Sequence, residues 1–268
     1  MKKKLHTIFF MENREEFRKL FSEEKIRKIF DKVFDNKSIL TLHGLAKKGF
    51  FKAVEFVVST GKEAHVFRAV DVSGNFRAVK IYKIETSTFR NLAKYIDGDY
   101  RFRDIKHSKK EIVFAWAKKE FKNLALCMEA KTSVPRPTAV KNNVLVMDFI
   151  GEKGIACRTL KETDEHDKET LQDYYRQTID FMARILYLKE LVHADLSEYN
   201  ILVKGKKLVF IDIGQGVLTT HPQAEEFFNR DVKNITEYFT RQGLEKTFEE
   251  MIKDIKEAGK RLKKRQNN

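Results

Sequence analysis

The sequence predicts an α+β chain in two parts, a small antiparallel sheet followed by a mainly helical portion. Three observations carry this. Two short apolar runs, Ile201-Leu202-Val203 and Leu208-Val209-Phe210-Ile211, flank Lys204-Gly205-Lys206-Lys207, the pattern of a hairpin. Apolar residues recur at helical spacing over 169–190, where Leu171, Tyr175, Thr178, Met182, Ile185 and Leu186 follow one face. Strand-like stretches, Arg77 to Tyr82 and Val144 to Ile150, lie ahead of that helix.

The elements follow in order. Residues 14–34 read as helical, with Phe17, Leu20, Phe21, Ile26, Ile29, Phe30 and Val33 as apolar positions, and Ser38 as the cap of a further helix that closes at Gly49. Residues 90–108 are rich in charge and aromatic rings and show no stable period, so they read as a mobile loop. Lys109 to Phe121 is helical, buried through Ile112, Trp116 and Phe121. Lys161 to Lys168 is a polar connector, and Gln223–Phe239 and Leu244–Leu262 are closing helices. The boundaries expected are a helical extension over 1–50, a sheet lobe over 51–147 with a flexible loop at about 86–108, and a helical lobe with its connecting strand over 148–268.

Composition narrows the classes. With 268 residues, 42% of them hydrophobic, the chain can bury one two-lobed core. Cys127 and Cys157 stand too far apart for a metal-like or redox-like pair and read as reduced thiols. No apolar run approaches the length of a membrane span, and the basic start Met1-Lys2-Lys3-Lys4-Leu5 is followed by too short an apolar stretch for a secretory signal, so a cytoplasmic location is expected. The formal charge of +14 favours encounter with polyanions. It concentrates at Arg101 to Lys110, Lys118 to Lys122 and Lys260 to Arg265.

The chemistry concentrates in His193-Ala194-Asp195-Leu196-Ser197-Glu198-Tyr199-Asn200 and in Asp212-Ile213-Gly214, with Asp212 twelve residues beyond Asn200. An aspartate five residues ahead of an asparagine, with a second aspartate on the next strand, suits phosphoryl transfer from ATP. Such a site needs one carboxylate to orient the attacking hydroxyl and two oxygen-bearing groups to hold metal on the phosphates. The predicted hairpin brings Asn200 and Asp212 together. His193 reads as structural, its ring tethering the loop.

A phosphate-holding loop is expected upstream, and Ser59-Thr60-Gly61-Lys62-Glu63-Ala64-His65-Val66 is the best candidate. Ser59 and Ala64 are small enough for backbone N–H groups to approach phosphates beside Gly61. Lys80, flanked by apolar residues in Ala78-Val79-Lys80-Ile81, needs an anionic partner if it is buried. That partner is ATP or a helix carboxylate. Glu111 is preferred over Glu120, which adjoins the lysine-rich face and reads as solvated.

With these parts in order, the chain closely resembles the RIO family of atypical protein kinases, its first subfamily in particular. The match is carried by STGKEAHVF (59–67), Lys80, HADLSEYNIL (193–202) and IDIGQ (211–215). The resemblance implies a bilobal protein-kinase-like fold, with a small antiparallel-sheet N-lobe and a truncated, mainly helical C-lobe that lacks the activation loop and peptide-binding helices. It implies Asp195 as the base, Asn200 and Asp212 as metal ligands, Lys80 on the phosphates and Glu111 as its partner. The adenine would lie at Asp148 and Ile150, among Val58, Val66, Ala78, Met147, Leu202 and Ile211, with Ser59, Gly61 and Lys62 at the phosphates. ATP with Mg²⁺, or Mn²⁺ in its place, is the implied cofactor.

The same resemblance implies a serine kinase and ATPase acting in maturation of the small ribosomal subunit or its precursor, rRNA included, with an aspartyl-phosphate on Asp212 as a proposed intermediate. Thr86, Ser87, Thr88 and Ser108 offer hydroxyls for autophosphorylation. Read without the family, the short chain after Asp212 favours ATP turnover that drives an assembly step as the rival to phosphorylation of other proteins. A small-molecule kinase and a silent RNA-binding scaffold are the remaining classes. The sequence leaves the oligomeric state open, with a monomer the simpler reading.

Overall fold

The computed structural model describes residues 36–84, 89–105, 108–163 and 167–266. The helix expected over 14–34, Thr86 to Thr88 and His166 lie outside these residues. The chain divides into two compact units. Among the described residues, one comprises 36–84, 89, 108–118 and 137–149, and the other 90–105, 119–136, 150–163 and 167–266.

The first unit is built on five strands. β1 (Ala53–Thr60), β2 (Ala64–Val70), β3 (Phe76–Tyr82), β4 (Pro137–Lys141) and β5 (Val144–Asp148) form an antiparallel sheet in the order β1-β2-β3-β5-β4. Helix α1 (Asn36–Lys47) packs on β4 and β5. Its Ile39, Leu42 and Leu45 join Phe67, Val79, Ile81, Val144 and Val146 in one core. Side chains alternate along a strand, so this core consumes one face of β3 and leaves Ala78 and Lys80 on the other.

Gly49 ends the α1 segment in the left-handed region at φ +81°, as its place in the sequence predicts. Ser38, in contrast, does not cap that helix. It lies in the first turn, 1% exposed, and its hydroxyl accepts a 2.7 Å hydrogen bond from Asn143 Nδ2. The same amide nitrogen donates to the Tyr82 carbonyl at 2.8 Å, so Ser38 serves a tertiary contact that outweighs its local preference for a cap.

In the second unit, helix α2 (Phe89–Ile96) and a 3₁₀ turn (Tyr100–Phe102) occupy the stretch in which the sequence shows no period. Two turns are too short for a repeat to emerge, yet Tyr95, Ile96 and Phe102 are buried. Helix α3 (Lys109–Glu129) starts in the first unit and continues into the second. Two short hairpin strands follow, β6 (Gly151–Glu152) and β7 (Ile155–Ala156).

Helix α4 (Lys168–Lys189) runs where the periodicity places it, and Asp167 caps it by accepting from the Thr170 N–H. Its buried residues include Leu171, Tyr175, Thr178, Met182 and Ile185. It delivers the chain to β8 (Leu191–Val192), and the hairpin of β9 (Ile201–Lys204) and β10 (Lys207–Phe210) pairs in the expected register, Lys207 opposite Lys204. Phe181 of α4 stacks on Phe210 with ring centroids 3.8 Å apart, and Gln177 binds the Leu208 N–H and the Lys206 carbonyl. The chain then makes β11 (Val217–Leu218), antiparallel to β8, and ends in α5 (Ala224–Arg241) and α6 (Phe248–Gln266), with α6 packed along α4. Among the described residues no helix is long and apolar enough to cross a membrane.

Because Phe181 is the buried plate between α4 and the hairpin, Phe181→Ala is expected to lower unfolding free energy by about 3–5 kcal/mol. Denaturant titration checks this, and a loss well under that range would mean the hairpin is held by its backbone alone.

Candidate active site

In the first unit the candidate nucleotide residues line up by register. Ser59 pairs with Val66, Val66 with Lys80, and Ala78 with Met147. Cross-strand partners project from the same face of a sheet, so Val66, Ala78, Lys80 and Met147 share the face opposite the α1 core. Lys80 is 6% exposed, and its ammonium lies 5.2 Å from the centroid of the Tyr82 ring. Val58 and Val66 are half-buried, while Ser59, Gly61 and Lys62 are exposed. The turn closes with the Gly61 N–H donating to the Ala64 carbonyl at 2.9 Å, and Lys83 Nζ donates to the Gly61 carbonyl at 2.7 Å. Two irregularities in β1, between Val54 and Phe56 and between Val57 and Ser59, bend the strand before the turn. Asp148 is tied by its carboxylate to Arg77 at 2.5 Å.

The expectation that Glu120 is solvated is corrected by its burial. Glu111 is exposed on the first turn of α3, where its N–H donates to the Ser108 hydroxyl at 3.3 Å, whereas Glu120 is 1% exposed. An adjacent lysine suggests a wet face only when that lysine is itself exposed. Lys119 is wholly buried, so this part of α3 faces inward.

The second unit holds the catalytic loop. Asn200 Nδ2 donates to the Asp195 carbonyl at 2.8 Å and lies 3.4 Å from its Oδ2, and Gln215 Nε2 donates to the same Oδ2 at 2.9 Å. The Ile211 N–H donates to the Asn200 carbonyl at 2.9 Å, so the strand entering Asp212 is locked to the loop as the hairpin predicts. Asp212 itself is exposed and left-handed, at φ 59° and ψ 49°. His193, 1% exposed, bonds the Ile211 carbonyl through Nε2 at 3.1 Å, the structural role its position suggests. Leu202 and Ile211 are half-buried nearby on the hairpin, and Ile150 accepts from the Cys157 N–H at 3.1 Å.

Asn200 commits its amide nitrogen to Asp195, which presents its amide oxygen as the atom for a cation. With the exposed Asp212 carboxylate this gives one amide oxygen and one carboxylate. That set suits Mg²⁺, which keeps several waters and phosphate oxygens and needs no all-protein cage.

Sequence reasoning missed the group that shapes the loop. Asp231 of α5 is 1% exposed and accepts the Ala194 N–H at 2.7 Å and the Leu196 N–H at 2.8 Å, bracketing Asp195. Arg230 donates to the Ala194 carbonyl at 2.5 Å and Asn234 to the Leu196 carbonyl at 3.2 Å. The signal was present: Asp231 falls on the stripe Phe227, Asp231, Ile235, Tyr238, where a charge among apolar residues at helical spacing marks a buried partner. Burial pushes the Asp231 carboxyl up to about 8, against the two N–H donors and Arg230, which favour the anion. Glu198 is likewise buried and paired to Arg241 at 2.8 Å.

A loop with a bracketed aspartate, an asparagine five residues on and a second aspartate after a hairpin, together with a five-stranded sheet bearing a buried lysine, matches the pattern of the protein-kinase class of phosphotransferases. The RIO domain model matches residues 65–252. The chain is 41% identical over 229 residues to the RIO-type serine/threonine-protein kinase Rio1 of Haloferax volcanii, covering 85% of this chain and 78% of the relative. It is 34% identical over 220 residues to human serine/threonine-protein kinase RIO1, covering 81% of this chain and 39% of the larger human protein. The Rio2 kinase–ADP/Mg²⁺–phosphoaspartate complex of Chaetomium thermophilum aligns with a TM-score of 0.61 at 26% identity, over 76% of this chain and 60% of that one. The chain belongs to the RIO family of serine/threonine kinases.

A carboxyl whose folded pKa is raised from 3.8 to about 8 binds its proton more tightly in the folded state. Its contribution to stability is full below the unfolded value and is lost as pH rises through the folded one. Unfolding free energy should therefore fall between about pH 4 and 8 more steeply in wild type than in Asp231→Asn. Equal slopes in the two proteins would mean that Asp231 is already ionised in the native state.

Proposed function

We propose that this chain is an ATP- and Mg²⁺-dependent phosphotransferase that phosphorylates serine, its own chain included, hydrolyses ATP, and acts in maturation of the small ribosomal subunit. The observation that carries the catalytic part is the convergence of Asn200 and Gln215 on the Asp195 carboxylate, on a loop locked by backbone to the strand that ends at Asp212. Asp195 is placed to orient an attacking hydroxyl and take its proton, while Asn200 and Asp212 hold the metal. Lys80, at a buried position, supplies the positive charge for the phosphates, and Val66, Ala78 and Met147 supply an apolar surface for the base. Bound Mg²⁺ would neutralise charge developing on the transferred group. Glu111, on the first turn of α3 and in the same unit as Lys80, is the carboxylate proposed to pair with that lysine.

The phosphoaspartate of the Chaetomium thermophilum Rio2 complex supports a second acceptor here. One carboxylate oxygen of Asp212 would take the γ-phosphoryl group as ADP leaves, and water attacking the acyl phosphate would release inorganic phosphate and restore the carboxylate. Such a cycle suits an ATPase that drives an assembly step. The ribosomal part of the proposal rests on the family and on the excess of 53 Lys and Arg over 39 Asp and Glu. That charge fits contact with rRNA phosphates in a monomeric, cytoplasmic protein.

Asp195→Asn is expected to retain ATP affinity, read by calorimetry, and to lose turnover by about 10²-fold or more. Asp212→Asn should in addition weaken binding only when Mg²⁺ is present. Turnover equal to wild type in Asp195→Asn would remove it as the base. If rRNA is held through phosphates, affinity for a small-subunit rRNA fragment should fall severalfold or more between about 50 and 200 mM salt, and an affinity indifferent to salt would contradict that contact.

A further inference from the structure

The turn that follows Asp212 rests on a buried polar cluster that the catalytic account leaves unused. Asn123 Nδ2 donates to the carbonyls at both ends of this turn, Ile213 at 2.9 Å and Gly216 at 2.8 Å, and Lys119 Nζ donates to the same Gly216 carbonyl. The other side of the Asn123 amide is equally committed, since its Oδ1 accepts from Arg101 at 2.9 Å. Arg101 grips Asp99 through Nε at 2.8 Å and through its terminal nitrogen at 2.6 Å, and Asp99 lies 3.7 Å from Lys119. Lys119 and Asn123 are wholly buried, and Asp99 is 3% exposed.

We propose that Lys119 and Asn123, oriented by Asp99 and Arg101, are positioning residues for the metal site. They fix the Ile213–Gly216 turn and, with it, the Asp212 carboxylate at one end and the Gln215 amide that holds Asp195. The inference rests on the phosphotransfer reading and deepens it.

Three physical points favour a positioning role over plain packing. A buried lysine with its hydrogen-bonding neighbours is no more stabilising than well-packed apolar side chains, so stability alone does not call for this cluster. Its donors are aimed at two backbone carbonyls of a single turn, which sets that turn's position and orientation together. Gly216 fits the same purpose, because a Cβ there would stand 2.9 Å from Asn123 Nδ2 and 2.9 Å from Ile213 Cγ1, so the backbone comes as close as a glycine allows. The stretch over 99–101 thereby acquires a task, as a prop for the metal turn.

The test uses Lys119→Met, close in volume to lysine, and Asn123→Leu, which keeps the branching of asparagine, both lacking the native donors. Thermal unfolding establishes folding, and ADP affinity without metal reports the remainder of the nucleotide site. The deciding readout is Mn²⁺ affinity in the presence of ADP, followed by electron paramagnetic resonance alongside the Mg²⁺ requirement of turnover. The expected result is unchanged metal-free ADP affinity with Mn²⁺ bound about tenfold more weakly. If either variant fails to fold, Gly216→Ala gives the same comparison with all four cluster side chains in place. Variants that unfold earlier yet bind Mn²⁺ as wild type does would reduce the cluster to a structural element. A wild type that bound no Mn²⁺ with ADP would overturn the phosphotransfer reading and this inference with it.

Discussion

The Asp231 carboxylate fixes the conformation on which the rest of the second unit's chemistry depends. Ala194 sits in the left-handed region at φ 66°, a backbone state that costs a non-glycine residue about 1–3 kcal/mol. It persists because the N–H groups of Ala194 and Leu196 both point at Asp231, while Arg230 holds the Ala194 carbonyl. With its neighbours turned inward, Asp195 is directed outward toward Asn200 and Gln215. His193 and the Ile211 carbonyl hold the other side. Asp195 is therefore placed by backbone geometry, and the side chains around it only refine that placement.

The first unit solves a related problem with a sheet. One face of β3 feeds the α1 core and the other presents Ala78 and Lys80, so one strand serves both stability and charge. Strand alternation makes this division automatic once Val79 and Ile81 are buried in the core. Asn143 and Ser38 then close the sheet against α1 through hydrogen bonds where apolar contact ends.

Much of this was legible in the sequence because phosphoryl transfer fixes separations. Asp195, Asn200 and Asp212 must stand at set distances, and a four-residue hairpin leaves few ways to arrange them. Helix α4 was legible for a different reason, since five apolar positions and Thr178 along one face over twenty-two residues leave no other period. What escaped were polar residues on buried faces. Glu120, Lys119, Asn123 and Asp231 all look like surface residues by type, and only their place on an apolar stripe betrays them. The partners of Lys119, Asn123 and Asp231 are backbone carbonyls and N–H groups 35 to 97 residues away, which no local pattern records. Ser38 failed in the same way, because a tertiary hydrogen bond used a residue that local rules assign to a cap. Helix α2 escaped through brevity.

Transfer of the γ-phosphoryl group of ATP by this loop is the reaction to measure first. The most direct measurement incubates the protein with γ-labelled ATP and Mg²⁺, and follows free phosphate and protein-bound label separately, with and without small ribosomal subunits. The account predicts label on the protein and free phosphate released faster when subunits are present, with an aspartyl-phosphate recognised by its loss in hydroxylamine and a phosphoserine by its survival. Neither label nor phosphate above the rate of uncatalysed hydrolysis, from protein shown to be folded, would contradict it.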